Sequence, residues 1–126
     1  MSANTDLVVS FCKEWSGRDI DKLMTYFTED AVYHNIPVVP MKGKAAIQAV
    51  ITAFMAPATA VDWEVLGVAE SGNAVFTERV DRFEIAGKKV QLPVAGVFEI
   101  EDGKISAWRD YFDLQMWMKQ MPPQGA

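Results

Sequence analysis

Residues 74–113 read AVFTERVDRFEIAGKKVQLPVAGVFEIEDGKISAWRDYFD, three runs rich in Val, Phe and Ile separated by short turn signals. The turns are Ala86-Gly87-Lys88 and Glu101-Asp102-Gly103, and Ser71-Gly72-Asn73 stands just upstream. Asp-Gly between two alternating runs is a strong hairpin signal, because both central residues of the favoured turn take positive φ. The spacing predicts strands over 61–70, 74–86, 89–101 and 104–113, joined by three consecutive hairpins into an antiparallel meander.

Upstream of the meander the period changes from two to about 3.6. Leu7, Val8, Phe11 and Trp15 recur on one face of a first helix, which Ser16-Gly17-Arg18 closes. Asp19 can cap a second helix with the stripe Ile20, Leu23, Met24 and Phe27. Thr28-Glu29-Asp30 leads to a short strand, Ala31 to Asn35, and Pro37 and Pro40 mark a loop. Gly43 precedes a third helix with Ile47, Val50, Ile51 and Phe54 inward. Leu114 to Met121 reads as a short last helix, and residues 121–126 as a loose tail. The order is α-α-β-α-β-β-β-β with a short C-terminal helix. It implies an α+β fold, a mostly antiparallel sheet with helices on one face. With no internal repeat and no dividing linker, 126 residues read as a single domain over 1–126.

Composition excludes several function classes. Half of the residues are hydrophobic and 23% are charged, which is incompatible with disorder. The net charge is −5 and no Lys/Arg cluster interrupts it, so nucleic acid is not an expected partner. The longest uncharged stretch, Ala45 to Val61, is broken by Gln48, Thr52, Pro57 and Thr59; it is too short and polar for a membrane helix. The N-terminal residues lack the basic and apolar regions of a signal peptide. With Cys12 as the one cysteine, no intrachain disulfide can form. Both readings fit a cytoplasmic protein.

Strand parity then sorts the polar side chains. Val75, Thr77, Arg79, Asp81 and Phe83 share one face of their strand, and Trp108, Asp110 and Phe112 one face of theirs. Tyr33 and Asn35 share a face with His34 opposite, and Val90, Leu92, Val94, Gly96 and Phe98 form a nearly pure apolar face. A pocket lined by Tyr33, Asn35, Arg79, Asp81 and Asp110, with Phe83, Leu92, Val94 and Phe112 as its apolar wall, is the expected result. An arginine and two carboxylates among aromatic residues are costly to bury, and such clusters serve either chemistry or a structural ion network.

Other residues carry blander readings. His34 has no second His, Cys or carboxylate cluster beside it, so no metal site is expected. Cys12 lies near the apolar stripe of the first helix and has no adjacent base, which suits a buried structural thiol. Trp15, Trp63 and Trp117 read as core or interface, and the seven Met residues as core or pocket wall. Lys42-Gly43-Lys44 lacks the glycine pattern of a phosphate loop. Asp113 lies across the strand from Asp110 or starts the last helix.

Tyr33-His34-Asn35-Ile36-Pro37, Thr77-Glu78-Arg79-Val80-Asp81, Gly96-Val97-Phe98 and Trp108-Arg109-Asp110-Tyr111-Phe112-Asp113 together resemble the limonene-1,2-epoxide hydrolase family, in order and over nearly the whole chain. The resemblance implies a curved, cone-like sheet of the nuclear-transport-factor-2 kind, with helices closing its concave face. It implies a cofactor-independent, typically dimeric epoxide hydrolase acting on a small apolar epoxide with water. In that reading Asp110 is the general base, Tyr33 and Asn35 hold the water, Asp81 is the general acid and Arg79 lies between the carboxylates. Two alternatives remain. A ketosteroid-isomerase-like or polyketide-cyclase-like enzyme would need one carboxylate base facing an oxyanion donor. A non-catalytic small-molecule-binding domain would use the same pocket without chemistry.

Overall fold

The computed structural model describes residues 2–121. Its elements are α1 (Ala3–Glu14), α2 (Ile20–Met24), β1 (Phe27–Asn35), β2 (Met41–Lys42), α3 (Lys44–Met55), β3 (Ala58–Ser71), β4 (Ala74–Ile85), β5 (Lys88–Glu101), β6 (Lys104–Tyr111) and α4 (Leu114–Gln120), with a 3₁₀ turn at Trp15–Gly17 after α1. The strands form one sheet in the order β2-β1-β6-β5-β4-β3. All its pairings are antiparallel except β1 with β6. The result is an α+β architecture, a curved sheet whose concave face is covered by helices.

The hairpins follow from their turn residues. Ala86 and Gly87 both have positive φ, 54° and 75°, as do Asp102 and Gly103, 51° and 76°. This conformation matches the twist of paired strands and is easiest for glycine. Along β4 and β5 burial alternates residue by residue. Val75, Phe83, Val90, Phe98 and Ile100 therefore face the helices, while Glu78 and Gln91 face out.

The helices close the other side. Ser2 caps α1 by accepting from the Thr5 N–H, and Asp19 caps α2 by accepting from the Lys22 N–H. Phe11 of α1 is fully buried. It meets Trp15, Tyr26, Phe27, Trp63, Phe98 and Trp108 edge-on at centroid distances of 5.1–6.5 Å. Edge-to-face contact is the favoured aromatic geometry, and this hub joins α1 to four strands.

Several elements differ from the sequence expectation. Phe27 begins β1 rather than ending α2. The helix stops early because Thr25 turns back on the Lys22 carbonyl, through its backbone N–H and its Oγ1. The Tyr26 carbonyl is then taken by the Ile105 N–H of β6 at 2.7 Å. Phe27 stays apolar and buried either way, so its helical spacing misleads. A register shift between Phe27 and Val32 leaves Glu29 and Asp30 exposed, which hides the strand from an alternation test. The short β2, read as loop, pairs with Val32 and Tyr33. β6 ends at Tyr111, and Asp113 caps α4 through Oδ1 to the Met116 N–H at 3.1 Å. Of the expected tail, Met121 closes α4, and residues 122–126 lie outside the described residues.

Candidate active site

β4, β5 and β6 bring the charged residues together. Thr77, Gly96 and Asp110 stand in one row across these strands, with Arg79 one step along β4 on the same face. The span from β4 to β6 is two strand spacings, about 10 Å. Arg79 bridges it by lying over Gly96. A Cβ at position 96 would collide with Arg79 Nη1 and would stand 2.6 Å from Asp110 Oδ1 and 3.1 Å from Thr77 Oγ1. A glycine in a strand interior commonly marks such a close approach.

Every guanidinium N–H is used. Nε donates to Asp81 Oδ1 at 3.0 Å and Nη2 to Asp81 Oδ2 at 2.9 Å. Nη2 also donates to Asp110 Oδ2 at 2.9 Å, and Nη1 to Asp110 Oδ1 and Thr77 Oγ1, both at 3.2 Å. The plane is covered by the Trp63 ring, with Cζ 4.6 Å from its centroid. A fixed fork of five donors lets four of them make simultaneous two-point contacts with two carboxylates while the fifth engages Thr77. The Trp108 indole N–H donates to Asp110 Oδ1 at 2.7 Å. The Trp108 ring is stacked between Tyr33 (4.0 Å) and Phe98 (5.4 Å).

Burial sets the protonation states. Arg79 is fully buried and both carboxylates are 4% exposed. Burial alone would lower the guanidinium pKa, but Asp110 and Asp81 together hold it well above its ordinary value. One positive charge then faces two negative ones in a low-dielectric site. Burial pushes the Asp81 carboxyl up from 3.8 to about 6; Arg79 opposes the rise and the charge of Asp110 adds to it. A carboxyl so poised can carry a proton near neutrality. Burial likewise raises the Tyr33 hydroxyl, so it remains a neutral phenol.

β1 runs parallel beside β6 with Tyr33 opposite Trp108 and Asn35 opposite Asp110. Tyr33 donates its hydroxyl proton to Asn35 Oδ1 at 3.0 Å, which turns the amide nitrogen of Asn35 away from Tyr33. The turn after β1 is pinned by the Ile36 N–H on the Asp110 carbonyl at 2.9 Å and the Val38 N–H on the Asn35 carbonyl at 2.8 Å. His34, on the other face, contacts the Val38 carbonyl at 2.8 Å.

Above these groups lies a cavity of about 190 Å³. Tyr33, Asn35, Asp81 and Asp110 open onto it, and Phe83, Leu92, Val94 and Phe112 form part of its wall. Arg79, read from parity as part of the lining, does not border the cavity; it lies behind the two carboxylates. The wall also contains residues not read as lining from the sequence: Trp15, Trp63, Val38, Phe54, Leu114 and Trp117. Trp15 and Trp63 stack at 4.1 Å and serve as core and wall together. The positioning residues Gly96, Thr77 and Trp108 were also missed. A lone glycine within an apolar strand, and a Trp on the same strand face as Asp110, were the available signals. Cys12 is fully buried and its thiol is pushed up to about 12, mainly by burial. Among the described residues, no three His, Cys, Asp or Glu side chains are placed to hold a metal ion, and no helix is long and apolar enough to cross a membrane.

The profile of the limonene-1,2-epoxide hydrolase catalytic domain matches residues 2–123. The chain is 33% identical over 107 residues to epoxide hydrolase EphG of Mycobacterium tuberculosis, covering 85% of this chain and 71% of that one. The structure of an LEH-like epoxide hydrolase from M. tuberculosis superposes with a TM-score of 0.82 at 30% identity, over 94% of this chain and 88% of the other. A protein of ketosteroid-isomerase-like fold from Catenulispora acidiphila superposes at 0.80 with 22% identity, over 90% of each chain. A SnoaL-like protein from Shewanella denitrificans does so at 0.86 with 14% identity, over 95% and 97%. At those identities the likeness is one of fold.

Proposed function

The chain belongs to the limonene-1,2-epoxide hydrolase family, and from that premise we propose that it adds water to a small apolar epoxide in one acid–base step, giving a vicinal diol. The observation that carries this reading is the Asp81–Arg79–Asp110 bridge at the floor of an apolar cavity. An epoxide is strained, but its leaving group is a poor alkoxide. Attack by water becomes easy when one group removes the proton of the water while another delivers a proton to the ring oxygen. Each such transfer contributes about 10²–10⁴-fold.

Asp110 takes the base role. Three hydrogen bonds, two from Arg79 and one from Trp108, hold its carboxylate in place, and Asn35 stands in register beside it. Water bound between Asn35 and Asp110 is aligned for attack. Asp81 takes the acid role, because burial raises its pKa to about 6. Arg79 stays charged and delivers no proton. It orients both acids and, through the guanidinium between them, lets a proton gained at one carboxylate be balanced by one lost at the other. The chemistry needs acid, base and water only, so the reaction is cofactor-independent in this reading. Two copies of the chain form the working enzyme, as in the family; sedimentation at micromolar concentration tests this.

In the ketosteroid-isomerase-like alternative Tyr33 is not free to serve as the oxyanion donor, since its hydroxyl proton is directed at Asn35. The deciding experiment is incubation with terpene, cycloalkene and styrene oxides without additives. Diol from at least one class, lost in Asp110→Asn, is the expected result. A panel returned unchanged would sink the assignment.

A further inference from the structure

The cavity over the carboxylates holds about 190 Å³, less than the about 300–1,000 Å³ usual for small-molecule sites. An apolar cavity of about 150 Å³ is enough for benzene. The space here therefore takes one six-membered ring, the oxide oxygen and a group of methyl size. Where its walls stand decides which part of a substrate meets that limit.

Along β4 the cavity stops at Phe83. Trp63, Asp81 and Leu92 form one row across β3, β4 and β5, and Val61, Phe83 and Val90 form the next row on the same face, about 7 Å farther on. Trp63, Asp81, Leu92 and Phe83 border the cavity, whereas Val61 and Val90 do not. Two helices complete the stop. Phe54 of α3 and Trp117 of α4 meet Phe83 edge-on at 5.1 and 5.5 Å and stack on each other at 5.2 Å. At the other end Asn35 stands beside Asp110, and Tyr33 is stacked on Trp108 at 4.0 Å. Val38, in the turn after β1, is 45% exposed and is the most open of the lining residues. The mouth therefore lies toward the Asn35 end, and three aromatic rings close the far end.

An oxide held with its oxygen at Asp81, and attacked by water from the Asn35 side, leaves its far ring carbons the space in front of Phe54, Phe83 and Trp117. We propose that this aromatic wall makes the enzyme selective for compact monocyclic epoxides and rejects a ring that carries a branched substituent opposite the oxide. Phe54 and Trp117 are its specificity-determining residues. This rests on the epoxide-hydrolase reading of the cavity. The test pairs 1-methylcyclohexene oxide with limonene-1,2-oxide, which differ by one isopropenyl group on the far side of the ring. Wild type is expected to favour the smaller epoxide by about tenfold or more in kcat/KM, and Phe54→Ala and Trp117→Leu each to shift the ratio toward the larger by about tenfold. Loosening of the fold without a role in size selection would lower both rates alike. A wild-type preference within about twofold of unity, or a ratio left unmoved in either folded variant, overturns the proposal. If Trp117→Leu does not fold, Phe54→Ala carries the comparison. Binding of cyclohexanol and 4-isopropylcyclohexanol, followed by the fluorescence of the tryptophans at the cavity, repeats the comparison without a reaction. Added apolar area on its own favours the larger alcohol. Tighter binding of cyclohexanol by wild type, reversed in the variants, is the expected result; tighter binding of the larger alcohol by wild type overturns the proposal. If wild type opens neither epoxide, the epoxide-hydrolase reading fails, and the two alcohols alone decide whether the wall limits size.

Discussion

Gly96 of β5 lies directly opposite Asp110 of β6, and the space its missing side chain leaves is occupied by the Arg79 guanidinium. The backbone of Gly96 is ordinary for a strand, so space alone forbids a larger residue. In Gly96→Ala the new methyl meets Arg79, Asp110 and Thr77 at once. All three are held in place by hydrogen bonds, so none can move aside without breaking one. Overpacking of this kind costs about 1–3 kcal/mol. We expect Gly96→Ala to fold with a lowered denaturation midpoint and to lose at least tenfold in kcat/KM, since a 1 Å displacement of catalytic groups is expensive. Full activity in this variant would show that the bridge is not needed for turnover.

Charge counting separates the two kinds of change at the bridge. Asp81→Asn and Asp110→Asn each leave Arg79 facing one carboxylate, a balanced pair. Both should stay folded while kcat falls about 10²–10⁴-fold. Arg79→Met leaves two buried carboxylates without a cation, a loss of about 3–5 kcal/mol. Arg79→Lys keeps the charge but offers three donors where five are engaged, and should also fail in turnover. Thermal melts run beside steady-state assays resolve these outcomes. An Asp81→Asn protein that unfolds as readily as Arg79→Met would contradict the counting.

The pH dependence follows from Asp81. Its carboxyl is raised from 3.8 to about 6, chiefly by burial, and its proton is the one delivered to the epoxide. The competent form is protonated, so kcat/KM should fall as pH rises through about 6, by up to tenfold per unit. By linkage, a carboxyl that holds its proton more tightly when folded stabilises the fold below about pH 4 and loses that contribution as pH rises through about 6. Denaturation midpoints measured between pH 4 and 8 should therefore decline for wild type more steeply than for Asp81→Asn. An alkaline limb retained in Asp81→Asn at the level of residual activity would assign the titration elsewhere.

Trp108→Phe tests the third contact of Asp110. The substitution preserves an aromatic ring between Tyr33 and Phe98 but removes the indole N–H that donates to Oδ1 at 2.7 Å. A hydrogen bond to a charged group is worth about 1.5–3 kcal/mol. We expect a stability loss of that order and a kcat decrease of about tenfold with KM little changed, because the carboxylate keeps its charge but loses its aim. A change confined to KM would make Trp108 part of the wall alone.

The period-two alternation of β4, β5 and β6 and the Ala86-Gly87 and Asp102-Gly103 turns made the meander legible, and parity set Arg79 with Asp81 on one face of β4 and Asp110 with Trp108 on one face of β6. What parity cannot express is which strands are neighbours. The crossing of Arg79 over Gly96 depends on β5 lying between β4 and β6, and the pairing of Asn35 with Asp110 depends on β1 joining β6 in parallel from a distant part of the chain. Phe27 was misread because an apolar residue that is buried in either element satisfies helix and strand patterns alike. α4 was legible as a helix, yet its place against the cavity was not. Nothing local in Leu114 or Trp117 says that they close a cavity with Phe54 and Phe83.

The route of ring opening is the sharpest remaining test. A carboxylate could attack the epoxide carbon itself and form an ester, which a separate base must then hydrolyse. The usual base for that second step is histidine. The one histidine, His34, contacts the Val38 carbonyl on the face of β1 opposite Tyr33 and Asn35, and it does not border the cavity. Both carboxylates are committed to Arg79 through each of their oxygens, which weakens them as nucleophiles. Water beside Asn35 and Asp110 is the better attacking group. A single turnover in oxygen-18 water, with enzyme in excess over epoxide, should place the label in the first diol formed and none in the protein. Unlabelled diol from that first turnover, with label recovered in a peptide containing Asp81 or Asp110, would establish the ester route and turn the general base into a nucleophile.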